Sequence, residues 1–297
     1  MRLAGPQAAG TPLKVGCLVT GMLMGAGSID DMNLLRDCGL RHVFTEVRAP
    51  STLGSFLRSF DHGTVRQLQA VHRRLLPGLA RRAPLLPGKD VLACLDVDAC
   101  QPRVYGHKKQ GAAFGPARIG SKVVTVRGLN VLAAGISTRT ATTPLITGTR
   151  LRGGSASDTR GAASFITEQI NVAAEAGVTG DLLARADSSY YNGPVISAID
   201  RAGSIDGPLA HLPSGDFNAN AAWVVLAAMT QNILRAAGAL ASRFHARARC
   251  ATLRRDLISV PATTARTGRG TLTLRGIKGW YAEEACLALH AATRPGA

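Results

Sequence analysis

The hydrophobic pattern of the chain changes at residue 90, and this change restricts the possible folds more than any other feature. Before it, apolar residues recur at helical spacing, most clearly over residues 64–79. Proline and glycine then interrupt the pattern at 84–88. Residues 91–98 form a nearly continuous apolar run that ends in two carboxylates, as a buried strand can. The sequence therefore predicts a helical region followed by an α/β region.

The residues that follow predict the order strand, strand, strand, helix, strand, helix. Strands are predicted at 90–98, 122–126, 130–137 and 181–186, a turn at 118–122, and helices at 159–176 and 193–202. In a ribonuclease-H-like fold, which opens in this order, the first strand and the strand after the first helix are adjacent and parallel. We therefore predict an α/β fold with an incomplete ribonuclease-H-like catalytic core.

Helical regions are predicted on both sides of this core. Ser28 and Asp31 have the spacing of a capping box, and further helices are predicted at 51–60 and from Thr64. Residues 219–241 have the composition of a core helix, and 271–275 alternate as a strand does. The predicted regions are a helical DNA-binding segment at 1–88, the core at 89–204, and a mainly helical segment at 205–297.

The net charge indicates a polyanionic partner. The chain has 35 Lys and Arg against 19 Asp and Glu, which gives a formal charge of +16. DNA and RNA are the usual partners of a protein with such a charge, and an anionic membrane surface comes after them. The alternative is a ribosome-associated protein, or one that is merely rich in arginine. Five arginines are concentrated after the predicted C-terminal core helix, at Arg243, Arg247, Arg249, Arg254 and Arg255.

Cysteine usage and hydropathy predict a cytoplasmic protein with no membrane span. The six cysteines, at positions 17, 38, 94, 100, 250 and 286, form no CxxC pair and no zinc-finger spacing, so they are expected to be reduced thiols in apolar surroundings. The apolar stretch at 15–26 is short and interrupted by glycine. No apolar run is expected to reach the roughly 18 residues that a bilayer requires.

Asp98 and Asp187 are the candidate catalytic residues, because each follows a predicted buried strand. Two-metal phosphodiester chemistry needs carboxylates that hold divalent ions about 3.5–4 Å apart. Hard oxygen ligands favour Mg²⁺, with Mn²⁺ as a substitute. Asp96 lies two residues before Asp98, on the same face of the strand, and is either an accessory ligand or a solvated side chain. The alternative for each acid is a turn or a helix cap.

Other motifs carry less information. Residues 115–122 lack the Gly-Lys-Ser/Thr order of a phosphate-binding loop, and 25–27 lack the third glycine of a dinucleotide fingerprint. The seven histidines form no HExxH metal-binding motif and indicate no Ser/His/Asp catalytic triad. His107, Lys108 and Lys109 form either a phosphate contact or a solvated turn.

Several strings resemble, in order and over nearly the whole chain, the IS-thirteen-eighty family of insertion-sequence transposases, within the IS-four-like DDE group. They are residues 28–31 (SIDD), 48–54 (RAPSTLG), 95–98 (LDVD), 105–111 (YGHKKQG), 127–130 (RGLN), 185–188 (RADS), 212–215 (LPSG) and 218–223 (NANAAW).

The resemblance implies a ribonuclease-H-like core, magnesium, and cut-and-paste movement of a DNA element with terminal inverted repeats. The first two acids of the family motif fall on Asp98 and Asp187. The implied partner is double-stranded DNA, both the inverted repeats and the target, in a nucleoid-associated cytoplasmic protein. The oligomeric state that we consider for this chain is a homodimer.

The chain departs from the family at the third acid. The family carries a β-rich insertion after the second Asp and then a helix with a Glu, whereas here residues 198–203 run almost directly into 205–211, with the join near Ser204. Glu283 and Glu284 belong to a different string. The expected function is therefore DNA transposition by a magnesium-dependent enzyme that is defective as written. The alternatives are a non-catalytic DNA-binding remnant that occupies inverted repeats, and a relic that does not fold stably.

Overall fold

The structure, a computed structural model, is a mixed α/β fold. It describes residues 9–37, 46–106, 108–119, 122–141, 143–157, 160–186, 214–266, 272–276 and 279–294.

Among the described residues, four α-helices precede the sheet: α1 (Thr11–Leu23), α2 (Leu34–Asp37), α3 (Pro50–Arg58) and α4 (His62–Arg82). Helix α4 begins two residues earlier than predicted because Asp61 caps it. The Asp61 carboxylate accepts the Thr64 N–H at 2.7 Å, and the Thr64 hydroxyl accepts the Asp61 N–H at 2.9 Å. The predicted Ser28 and Asp31 pair also forms, because the Asp31 carboxylate accepts the Ser28 N–H at 2.8 Å. Asp31 itself lies in a 3₁₀ turn at Asp30–Asn33.

The central sheet has four strands in the order β5-β4-β1-β6. In chain order the elements are β1 (Leu92–Cys100), β2 (Ala113–Ile119), β3 (Lys122–Gly128), β4 (Asn130–Thr138), β5 (Leu145–Arg152), α5 (Ala162–Glu175) and β6 (Asp181–Ala186). Strand β1 pairs antiparallel with β4 and parallel with β6, and β4 pairs antiparallel with β5. The predicted parallel contact between the first strand and the strand after the helix is confirmed.

Two strand assignments differ from the prediction. Strand β3, predicted as part of the sheet, instead pairs with β2 in a separate two-stranded hairpin. Arg118 and Lys122, predicted to lie in a turn, belong to these two strands. The third strand of the sheet is β5, which was not predicted. Its sequence contains Gly148, Thr147 and Thr149, which interrupt the apolar run that identifies a buried strand.

The C-terminal part contains α6 (Phe217–Ala241), α7 (Cys250–Leu253), the hairpin β7 (Ala262–Arg266) and β8 (Leu272–Gly276), and α8 (Glu283–Thr293). Among the described residues, α6 alone is long and apolar enough to cross a membrane, so the prediction that no apolar stretch reaches that length was wrong. Its most apolar window is 72% buried inside the fold, as expected of a core helix. The predicted helix at 193–202 lies outside the described residues.

The core lies on both faces of the sheet. On one face, Leu95 and Val97 of β1 pack with Leu132 of β4 against Phe165 of α5. A second cluster joins α1, α3 and α4 to α6, with Trp223 of α6 completely buried. Apolar residues from all three predicted regions therefore share one interior.

A polar contact inside this core joins α4, α6 and β5. The Asn232 side chain of α6 accepts the Ile146 N–H at 2.9 Å and donates to the Ile146 carbonyl at 2.7 Å. Its Nδ2 also donates to Nε2 of His72, at 3.1 Å. Because the Ile146 contacts fix which way the amide points, His72 Nε2 has to act as the acceptor and remain unprotonated.

We expect His72 to make the protein acid-labile. Burial lowers the pKa of His72 from 6.5 to about 4. The unfolded chain therefore binds the proton at higher pH than the folded chain does, so this contribution to stability is complete above about pH 6.5 and is lost as the pH falls towards 4. The loss should reach about 3 kcal/mol. Denaturant unfolding of His72→Gln should show a flatter pH profile in this range, whereas His62→Gln, exposed on the same helix, should not; equal profiles would contradict the assignment.

Candidate functional site

Asp98 lies at the carboxyl edge of the parallel pair of strands. Val97 of β1 is paired with Ala186, the last residue of β6, so Asp98 is the first residue of β1 beyond this pairing. Its side chain is exposed, and β1 continues to Cys100 rather than ending at Asp98. Asp187 follows Ala186 directly but lies outside the described residues. In open α/β sheets, this edge is where ligands usually bind.

Asp96, the candidate accessory ligand, is held in an ion pair with Arg185. The two acids share a face of β1, as predicted, but Arg185 of β6 donates to both Asp96 oxygens, at 2.6 and 2.7 Å. Hydrogen bonding to Asp96 raises the pKa of Arg185. The carboxylate of Asp96 is therefore not simply solvated, and its charge is paired with that of Arg185. Sequence reasoning missed Arg185, although it lies two residues before Asp187.

Asp98 is exposed to water and lies near the partly buried thiol of Cys100. The Ala99 N–H donates to the Asp98 carboxylate at 2.7 Å. Burial, and then the negative charge of Asp98, raise the pKa of Cys100 to about 12, so this thiol stays protonated. Within the described ranges, no group of three or more His, Cys, Asp or Glu could hold a metal ion. Asp98 thus fits a hard cation by exposure and chemistry, but a complete ligand set would need residues outside those ranges.

Two of the strings that carry the family resemblance are hydrogen-bonded to each other. Lys109 donates from Nζ to the Ser214 carbonyl at 2.8 Å, and the Gln110 N–H donates to the Gly215 carbonyl at 2.9 Å. These bonds join the string 105–111 to the string 212–215. Burial lowers the pKa of Lys109. Because Nζ of Lys109 donates to a protein carbonyl, the side chain is not purely solvated, and binding phosphate would not be its only role. His107 lies outside the described residues.

A buried arginine holds the segment between β5 and α5. Arg152 donates through Nε and Nη2 to the Asn130 side chain, at 2.9 and 2.7 Å. Its Nη1 donates to the Ser157 and Arg160 carbonyls, at 3.2 and 2.9 Å. Asn130 ends the string 127–130, so its role here is to position the chain that leads into α5.

Strand β6 is an edge strand of the described sheet. Among the described strands, β6 pairs with β1 alone, and Leu183 in its middle is 51% exposed. An edge that is unpaired among the described strands and carries an exposed apolar side chain is consistent with a core that lacks a further strand.

Comparison with known proteins identifies no relative: no family model matches this chain, and no curated protein or solved structure is significantly similar to it.

Proposed function

We propose that this chain is a transposase-like DNA-binding protein, built on the core of a metal-dependent enzyme that cuts and joins DNA. The observation that carries the proposal is the order of the sheet, β5-β4-β1-β6 with only β1 and β6 parallel. Three antiparallel strands, a helix, and a strand parallel to the first form the opening of a ribonuclease-H-like core. The positions of Asp98 and Asp187 at the carboxyl edge of β1 and after β6 support the same reading.

We propose further that Asp98 and Asp187 hold one divalent ion, Mg²⁺ or Mn²⁺. When bound, such an ion would stabilise charge on phosphodiester oxygens. Arg185 would weaken any contact of Asp96 with the ion, because its positive charge is paired with this carboxylate. The net charge of +16 would provide affinity for the DNA backbone without selecting a sequence.

A second candidate is a DNA-binding remnant that occupies inverted repeats without cutting them. Two observations favour it. The sequence contains no glutamate between Glu175 and Glu283, where the family places its third acid. The edge of β6 is also open among the described strands, as a missing part of the core would leave it.

The test measures Mn²⁺ and DNA binding in the same proteins. Mn²⁺ binding, followed by electron paramagnetic resonance, should weaken at least about tenfold in Asp98→Asn because a ligand is lost. Asp181→Asn is the matched control, since Asp181 is an exposed aspartate at the opposite end of β6. All three proteins should bind duplex DNA with an affinity that falls steeply with salt, because Lys and Arg contacts to phosphate release counterions.

The possible results separate the parts of the proposal. DNA affinity that stays flat from low to moderate salt would contradict the DNA-binding function. Equal Mn²⁺ binding in wild type and Asp98→Asn would contradict the metal site but leave DNA binding and the remnant candidate in place.

A further inference from the structure

A basic cleft lies at the end of the sheet opposite to Asp98. Its volume is about 640 Å³, and it opens between the segment before β1, the turn from β4 to β5, and the end of α6 with the 3₁₀ turn that follows. The arginines that line it are Arg139, Arg235, Arg243 and Arg247. Thr138 at the end of β4 pairs with Ala93, five residues before Asp98, so the two places are roughly 17 Å apart along β1.

Within the part of the chain that the structure describes, no acidic side chain neutralises the positive charge of the cleft. None of its described lining residues is acidic. Arg139, Arg243 and Arg247 are exposed and form no ion pair with any residue that the structure describes. Arg235 is partly buried: its Nη1 donates to the Ala248 carbonyl at 2.5 Å, and its Nε has no hydrogen-bond partner within the described ranges. Burial lowers the pKa of Arg235, but an arginine remains charged at neutral pH.

The other lining residues indicate which part of a nucleic acid would fit. The Thr140 hydroxyl donates to the Pro87 carbonyl at 2.6 Å, and the Thr143 hydroxyl donates to the Ala246 carbonyl at 3.4 Å. These bonds hold the walls of the cleft together. The described lining includes no aromatic side chain on which a base could stack. The guanidinium groups are therefore the groups that would recognise a nucleic acid, because their geometry and charge match those of phosphate oxygens.

We infer that this cleft is a phosphate-binding site for the backbone of a DNA strand, separate from the acids at the other end of the sheet. The choice of DNA as the source of the phosphate rests on the proposed function. The volume lies within the range of ordinary ligand sites, so the cleft has room for about one or two phosphodiester units. Arg139 and Arg235 come from different elements of the fold, which distinguishes the cleft from the simple run of arginines after α6.

The test compares two triple variants with equal loss of charge. Arg139→Gln, Arg243→Gln and Arg247→Gln remove the exposed cleft arginines. Arg160→Gln, Arg249→Gln and Arg275→Gln remove three exposed arginines that do not line the cleft. Thermal unfolding checks that both variants fold. The slope of log affinity for duplex DNA against log salt should become shallower by about 2–3 in the cleft variant and by less than about 1 in the control.

Pyrophosphate serves as a free-phosphate probe of the same proteins. Pyrophosphate should compete with DNA for the protein less strongly in the cleft variant than in the control. This result would support the inference. Steep DNA binding with equal slope changes in both variants would overturn the cleft while leaving the proposed function intact. A third result is that the wild-type protein binds pyrophosphate through the cleft arginines but binds no DNA. This result would overturn DNA as the source of the phosphate, and it would also contradict the proposed function.

Discussion

Replacing Asn232 by alanine is expected to lower the free energy of unfolding by about 3–5 kcal/mol, which is a large part of the stability of an ordinary domain. The side chain satisfies both the N–H and the carbonyl of Ile146 and donates to His72. Alanine would leave these three groups buried without partners, and each unsatisfied group costs about 1–3 kcal/mol. Because the surrounding structure can relax around the smaller side chain, the expected loss of stability is less than the sum of the three penalties.

Urea unfolding measures this loss directly. Asn218→Ala is the matched control, because it makes the same change near the start of α6 at a partly exposed position. It should change stability by less than about 0.5 kcal/mol. A loss below about 1 kcal/mol in Asn232→Ala would show that the contact between α6 and β5 does not contribute as the geometry indicates.

The second expected result is that the chain, with Mg²⁺ or Mn²⁺ present, binds DNA that carries its cognate inverted repeat but does not cut it. Two carboxylates can hold one ion, whereas stabilising both the attacking and the leaving oxygen needs a second ion and the third acid. Loss of a preorganised charge-stabilising group typically costs about 10²–10³ in rate. Strand β6 also lies at the edge of the described sheet, as expected if the proposed core lacks a further strand.

Strand cleavage is read on end-labelled duplexes, with Asp98→Asn as the variant that lacks the first acid and Asp181→Asn as the control. Cleavage at the element end that disappears only in Asp98→Asn would show that the chain is active and that the missing Glu segment is not required. DNA binding without cleavage in all three proteins would favour the remnant.

Residues that are close in sequence were predictable from periodicity. The helix α5, the long helix α6, and the strands β1 and β6 have apolar patterns that identify them locally. The position of Asp98 on β1 followed from the same pattern. Strand β5 was missed because Gly148 and its neighbouring threonines have no strand pattern of their own, and pairing with β4 gives this segment its structure.

The sequence by itself determined the types of the core elements β1, β4, β6, α5 and α6, the candidate acids and the excess of positive charge. Only the tertiary structure decided how those residues are used. The ion pair of Asp96 with Arg185 joins residues 89 positions apart, and the cleft combines Arg139 with Arg235. Such contacts depend on strand register and helix packing, which arise from burial summed over many residues and leave no local pattern in the chain.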